Sequence, residues 1–386
     1  MFPGFINDPF SNMKLANQKS LFTIPPDVTY LNCAMMSPIL KSSSEAGLAA
    51  VRRRNEPWSI PLSDWFEPAE KLKGLFASVI NSPKDNIALI PSVSYGMAVA
   101  KQNIHLGASD EILVLDRQYP SNVYAWMELA KETGAKIITV RKNEDQNWTE
   151  AILHHVHERT GLVAIPNCHW TNGELIDLKK ISAATRTYGA KLVIDASQSA
   201  GVYPMDIQAI RPDFLVTAGY KWLLGPYGLS YFYADEKYFE NGKPIEHSWN
   251  NKKGSEDFTS LVDYTEDYKY GAARFDAGGS AAFINMPMAI EALTRILEWG
   301  VHNIQETLAE LTNKVLISAR ERGLVVAGAH RVGHMLGIKM DENKVKETGT
   351  RLIENKIFIS FRGASMRIAP YLYNDHQDIE QLFKFL

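Results

Sequence analysis

From residue 87 to residue 233 the chain repeats one pattern, a short apolar run followed by a segment of helical length. The runs are Ile87–Ile90, Glu111–Leu115, Lys136–Val140, Leu162–Ile165, Leu192–Ile194, Phe214–Val216 and Leu229–Tyr233. Runs that are largely apolar, rather than alternating with polar residues, belong to strands covered on both faces. Interleaved with helices, they predict an α/β fold with a mostly parallel central sheet flanked by helices. In such sheets, ligands bind beyond the carboxyl ends of the strands.

The stretch from 190 to 234 delivers chemistry at that position. Leu192-Val193-Ile194 stops at Asp195, and Phe214-Leu215-Val216 leads through Thr217-Ala218-Gly219 to Tyr220-Lys221, with a Gly225-Pro226-Tyr227-Gly228 turn beyond. Singly, a strand-end Asp is a turn residue or cap, and a lone Lys is solvated. Together they bring a carboxylate and an amine to neighbouring strand ends. Ile87–Ile90 runs into Pro91-Ser92-Val93-Ser94 ahead of helical spacing. Unpaired N–H groups in a first helical turn suit a plain serine cap or a phosphate. Two further runs end in Asp116-Arg117-Gln118-Tyr119-Pro120 and in Asn167-Cys168-His169-Trp170-Thr171-Asn172-Gly173. Neither G-x-G-x-x-G nor a P-loop occurs, which argues against a nucleotide-binding protein.

Composition narrows the class further. A net charge of −3 over 386 residues gives no case for nucleic acid or an anionic membrane. No apolar stretch approaches a membrane span, and MFPGFINDPF lacks the basic-then-apolar order of a signal peptide. Cys33 and Cys168 are too few for a disulfide framework. The expectation is a cytoplasmic protein. His154, His155 and His157 have no carboxylate or Cys at ligand spacing, so no metal is expected.

The order Asp195-x-x-Gln198, a glycine soon after, Lys221 at the end of the next strand and a Gly-Pro-x-Gly turn resembles the class V aminotransferases. That family includes cysteine desulfurases, selenocysteine lyases, kynureninases and isopenicillin-epimerase-like proteins. The resemblance implies a fold-type I enzyme, a homodimer, with pyridoxal 5'-phosphate as cofactor. It implies that Lys221 carries the cofactor as a Schiff base, Asp195 pairs with the pyridine nitrogen and Gln198 hydrogen-bonds the ring hydroxyl. A carboxylate there keeps the nitrogen protonated, so that the ring draws electrons from the substrate α-carbon. The amine needs a lowered pKa to act as nucleophile and proton carrier. By the same resemblance Ser92, Val93 and Ser94 cradle the phosphate, Tyr119 stacks on the ring and Tyr220 joins the cofactor contacts. Ser280 of Gly279-Ser280 would reach the phosphate of the neighbouring subunit.

The stretch Tyr30 to Pro38 resembles the family's amino-terminal signature and places Asn32 near the substrate. Arg367, in MRIAPYLYN, would grip the substrate α-carboxylate with paired donors that a Lys lacks. Trp170 is a departure, because desulfurases carry an Asn there that touches the ring hydroxyl. His169 and Asn172 are the candidates to contribute in its stead.

Residues 30–275 are expected to form the large cofactor-binding domain. Residues 1–29, read as an arm or short helix, are expected to join 276–386 in a smaller α+β domain. The sequence predicts helices over 39–80 (broken at Pro57 and Pro61), 147–159, 286–322 and 342–354, and strands at Leu324–Ala327 and Met335–Lys339. The reaction expected is at the α-carbon of an amino acid, as an aminotransferase or C–S/C–Se lyase. An epimerase or kynureninase-like hydrolase stays open, although kynureninases usually have His where Gln198 stands. A non-catalytic protein binding the same cofactor is the alternative of another class. Desulfurases carry their persulfide Cys shortly before the terminal Arg, and residues 356–366 contain none. No persulfide cysteine is therefore expected.

Overall fold

The computed structural model describes residues 14–143 and 145–386. The arm or helix expected at the amino terminus lies outside the described residues up to position 13; beyond it stands one 3-10 turn, Lys19–Leu21. Strand β1 (Thr29–Tyr30) precedes helices α1 (Lys41–Arg53) and α2 (Glu67–Ile80). Pro57 and Pro61 open short 3-10 turns between them, since proline presets the first helical torsion and lacks the N–H that a continuing helix needs.

The alternating part then runs β2 (Ile87–Ile90), α3 (Val93–Gln102), β3 (Glu111–Leu115), α4 (Tyr124–Thr133), β4 (Lys136–Val140) and α5 (Trp148–His155). It continues with β5 (Thr160–Pro166), α6 (Leu178–Tyr188), β6 (Lys191–Asp195), α7 (Ile207–Ile210), β7 (Phe214–Ala218) and β8 (Ser230–Ala234). Helix α5 stops four residues short of the prediction, at Val156, whose backbone is extended.

These strands form one sheet in the order β2-β8-β7-β6-β5-β3-β4, and only β8 is antiparallel to its neighbours. Each strand feeds two cores. Ile112 and Val114 belong to one apolar cluster, Leu113 and Leu115 to the other, as the two-residue period requires. Because β2 pairs with β8, and β8 with β7, β2 points the same way as β7. Its carboxyl end therefore opens on the same edge as those of β6 and β7.

The remainder comprises α8 (Asn285–Trp299), α9 (Val301–Glu321), β9 (Leu336–Lys339), α10 (Glu342–Glu354), β10 (Ile357–Phe358), β11 (Ser360–Arg362), β12 (Ser365–Ile368) and α11 (His376–Lys384). Two expectations need correction. The helix read over 286–322 is two helices, broken at Gly300, whose φ of 75° no α-helix accepts. The strand read at Leu324–Ala327 is absent; only Val326 bridges to Ile338. Strands β11, β12 and β9 make an antiparallel sheet, and β1 pairs in parallel with β10. A third core cluster unites Leu31 with Leu336, Ile338, Met366 and Leu382, so the amino-terminal segment is built onto the carboxyl-terminal core.

At the β2 edge a buried ion pair joins the two parts of the chain. Lys73 of α2 lies 2.6 Å from Asp276, which also accepts the Leu89 N–H (2.7 Å), while the Ala277 N–H donates to the Leu89 carbonyl (3.0 Å). No described helix is long and apolar enough to cross a membrane.

Candidate active site

Adjacent strands β6 and β7 put Asp195 opposite Val216. Lys221 follows in a loop closed by the Gly225 N–H donating to the Gly219 carbonyl (2.8 Å). Gly219 has no room for a side chain, which would strike the Leu229 carbonyl, and Leu224 holds a left-handed φ of 54°. This tight loop turns the Lys221 side chain inward. Lys221 is 7% exposed and Asp195 6%, and both line one pocket with Tyr119, Cys168, Trp170 and Gln198.

Burial dominates the electrostatics. Loss of water lowers the Lys221 amine to about 8; Asp195 opposes the shift, and the nearby guanidinium groups of Arg367 and Arg362 add to it. Burial raises the Asp195 carboxyl above its ordinary range, against the Ser197 hydrogen bonds and the attraction of Lys221. The Ser197 N–H donates to Asp195 Oδ1 at 3.0 Å.

Around this pair the Lys221 amine lies 5.3 Å from the Tyr119 ring centre and 5.9 Å from that of Tyr220. Tyr220 packs on Tyr227 (4.6 Å), and burial pushes its phenol up to about 12. The Gln198 amide donates to the Ala34 carbonyl (3.0 Å) and accepts from the Trp222 indole N–H (2.8 Å). Ser92 caps α3 by accepting the Tyr95 N–H (3.2 Å), with Ser94 Oγ 3.1 Å from its own. Val93 and Ser94 begin that helix, where N–H groups have no intrahelical acceptor.

Arg367 on β12 is almost fully buried. Its Nε donates to Ser360 Oγ (3.2 Å) and its Nη1 to the Trp170 carbonyl (2.9 Å), while Nη2 has no partner among the described residues. Burial and Arg362 lower its guanidinium to about 9. Asn32 bridges to Ala369 just beyond β12, and its buried Oδ1 also has no partner there. Ser280 does not line the pocket; its Oγ accepts from the Asn250 amide at 2.6 Å.

Two residues singled out as substitutes for the missing Asn are committed elsewhere. His169 stacks on Trp148 (5.3 Å, 8° between planes) and bonds to Thr171 and the Asp116 carbonyl, while Asn172 holds Glu174. Trp170 itself walls the pocket. Its indole N–H donates to the Arg117 carbonyl (2.7 Å), its ring meets Tyr119 edge-on at 5.4 Å, and the Arg362 guanidinium lies over it at 5.3 Å. Sequence reading passed over Arg362, although it stands five residues before Arg367 in one hairpin. It also passed over His334, which no local pattern marks.

A protein-family model, aminotransferase class V, matches residues 63–382, most of the chain. The chain belongs to the class V aminotransferase family. It is a pyridoxal-phosphate-dependent enzyme of that family. Among curated relatives, an uncharacterized aminotransferase of Bacillus subtilis is 25% identical over 320 residues, 82% of this chain and 83% of that one. A cysteine desulfurase of Escherichia coli is 24% identical over 372 residues, 90% of this chain and 88% of its own. The apo structure of a cysteine desulfurase from Thermococcus onnurineus superposes with a TM-score of 0.82 at 17% identity, covering 96% and 98% of the two chains. The cystine C–S lyase C-DES, in complex with its product cysteine persulfide, gives 0.84 at 19%, covering 93% and 97%. These structural likenesses establish the fold-type I architecture.

Proposed function

We propose that this enzyme acts at the α-carbon of an α-amino acid, by transamination or by C–S or C–Se cleavage without a protein-bound persulfide. The observation that carries this reading is the placing of Lys221 and Asp195 in one buried pocket beside Arg367.

The residues present fit pyridoxal phosphate, because the pocket offers a buried amine of lowered pKa, a buried carboxylate and an aromatic face at matching strand ends. When bound, the cofactor supplies a ring that withdraws electrons from the substrate α-carbon. Asp195 offers its carboxylate to the ring nitrogen. Lys221, moved toward its neutral form by burial, serves as nucleophile and then holds or returns the α-proton at Nζ. The open first turn of α3, with Ser92, Val93 and Ser94, receives the phosphate. Tyr119, with Tyr220 beside it, would cover a face of the ring, and Gln198, with one amide N–H left after its bond to Ala34, would meet the ring hydroxyl. The unpartnered Arg367 Nη2 takes the substrate α-carboxylate, and the unpartnered Asn32 Oδ1 receives a substrate N–H.

Neither thiol suits a persulfide role. Cys33 and Cys168 are buried, and burial raises both thiols, Cys168 to about 12, so neither supplies a thiolate. A homodimer in the cytoplasm completes the reading, with Ser280 reaching the partner's phosphate site; exposed Trp58, Leu62, Tyr227 and Tyr264 offer apolar surface for a second copy.

The test is the visible absorbance of the purified enzyme. A cofactor band that borohydride removes is expected, together with its loss in Lys221→Ala. Asp195→Ala should lower turnover a thousandfold or more, several kcal/mol of barrier. A colourless protein that takes up no added cofactor would overturn the proposal.

A further inference from the structure

Arg362 ends β11 and Arg367 sits on β12, in a hairpin that pairs Arg362 with Ser365 and Arg367 with Ser360. Both arginines converge on one residue. Arg367 donates to the Trp170 carbonyl (2.9 Å), and the Arg362 guanidinium lies over the Trp170 indole, 5.3 Å from the ring centre. Arg362 is half-buried, yet it forms no ion pair among the described residues. Its Nη1 donates to the neighbouring Phe361 carbonyl (2.8 Å), and its buried Nε has no acceptor. An uncompensated guanidinium in such a place carries a desolvation penalty unless an anion arrives.

Charge counting points the same way. Arg362 and Arg367 bring two guanidinium groups to Trp170, one over its indole and one on its carbonyl. The α-carboxylate answers Arg367, and the phosphate is received at α3. Arg362 is left over. A guanidinium over an indole keeps its in-plane N–H donors available; in Arg362 Nη1 serves the Phe361 carbonyl while Nε has no acceptor, and paired guanidinium donors match two oxygens of one oxyanion.

We propose that Arg362, held by Trp170, is a specificity-determining residue that binds a second anionic group on the substrate side chain. The preferred substrates are then α-amino acids ending in a carboxylate or sulfinate, not neutral ones. This rests on the reading of the site above, in which Arg367 takes the α-carboxylate. It also gives a purpose to Trp170, which stands where the desulfurase pattern has an Asn.

The test uses holoenzyme and ligand pairs that differ in charge but hardly in shape: L-glutamate against L-glutamine, L-aspartate against L-asparagine, and glutarate against valerate as dead-end ligands. Dissociation constants come from titrating the cofactor spectrum and from ligand-induced thermal shift, so no turnover is required. Expected is binding of the acidic member about tenfold tighter or more, narrowed to about threefold or less in Arg362→Gln and partly kept in Arg362→Lys. Equal binding within the pairs by the unmutated enzyme overturns the inference, and needs no variant to fold. So does a preference that survives in an Arg362→Gln protein retaining its cofactor band. A colourless unmutated enzyme defeats the underlying reading and this inference with it, whereas a coloured one without acid preference defeats the inference alone.

Discussion

His334 bonds through Nε2 to the main-chain carbonyl of Gln198 at 2.7 Å, across 136 positions of sequence. Its Nδ1 accepts from the Gln305 amide of α9 (2.9 Å). Its ring lies edge-on to Trp222 at 4.6 Å, and Trp222 in turn donates to the Gln198 side chain. The segment leading into β9 thus holds both the Asp195-to-Gln198 turn and the residue after Lys221.

Burial keeps this imidazole neutral, lowering it to about 3. Between roughly pH 6.5 and 3 the unfolded chain binds a proton that the folded chain refuses, so stability falls as pH falls through that window. His334→Gln should flatten this dependence while keeping part of the network. His334→Ala, which strands the Gln198 carbonyl and opens a cavity, should lose about 2–3 kcal/mol in urea denaturation at pH 7. A loss below about 0.5 kcal/mol would show that the contact does not hold the turn.

Lys221 should destabilise the cofactor-free protein. Its folded value of about 8 lies below the ordinary 10.5, so between those values the unfolded chain binds more protons and stability rises with pH. Lys221→Met should therefore raise cofactor-free stability at pH 7 by on the order of 2–3 kcal/mol, with the gain fading above about pH 10. Denaturation curves at pH 7 and pH 10 decide this; equal gains at both would refute the charge as the cause.

Replacing Cys33 and Cys168 together with Ala should leave turnover within about threefold, under roughly 1 kcal/mol of barrier. Intact-mass spectrometry during turnover should find no sulfur adduct on the protein. A hundredfold loss with cofactor still bound would place a thiol in the reaction.

Ser280 tests the shared site. Mixing inactive Lys221→Ala and Ser280→Ala proteins should return about a quarter of normal activity, because half the dimers are mixed and each has one intact site. An active monomer by sedimentation would end that proposal.

The strand-and-helix alternation was legible because the β2–β8 runs are apolar on both faces, and Asp195 and Lys221 were legible because they interrupt such runs. The hidden parts depend on contacts remote in sequence. Gly300 reads as one weak position inside a continuous helical period, and only its positive φ shows the break. Val326 has apolar neighbours, but its pairing with β9 goes no further than one bridge to Ile338, flanked by the Ala327 N–H on the Gly337 carbonyl and the Lys339 N–H on the Val325 carbonyl. His334 earns its place through Gln198 and Gln305, and Trp170 through Arg362, pairings that no spacing rule encodes.

The Lys73–Asp276 pair also limits how the protein can associate. A terminal strand with free N–H and C=O groups is a template for pairing with another chain. At β2 the central template position, Leu89, is already occupied in both directions, its N–H by the Asp276 carboxylate and its carbonyl by the Ala277 N–H. No eighth strand can be recruited there without first displacing Ala277 and the Asp276 carboxylate that Lys73 holds in place, which guards this border of the sheet against fibril-like growth.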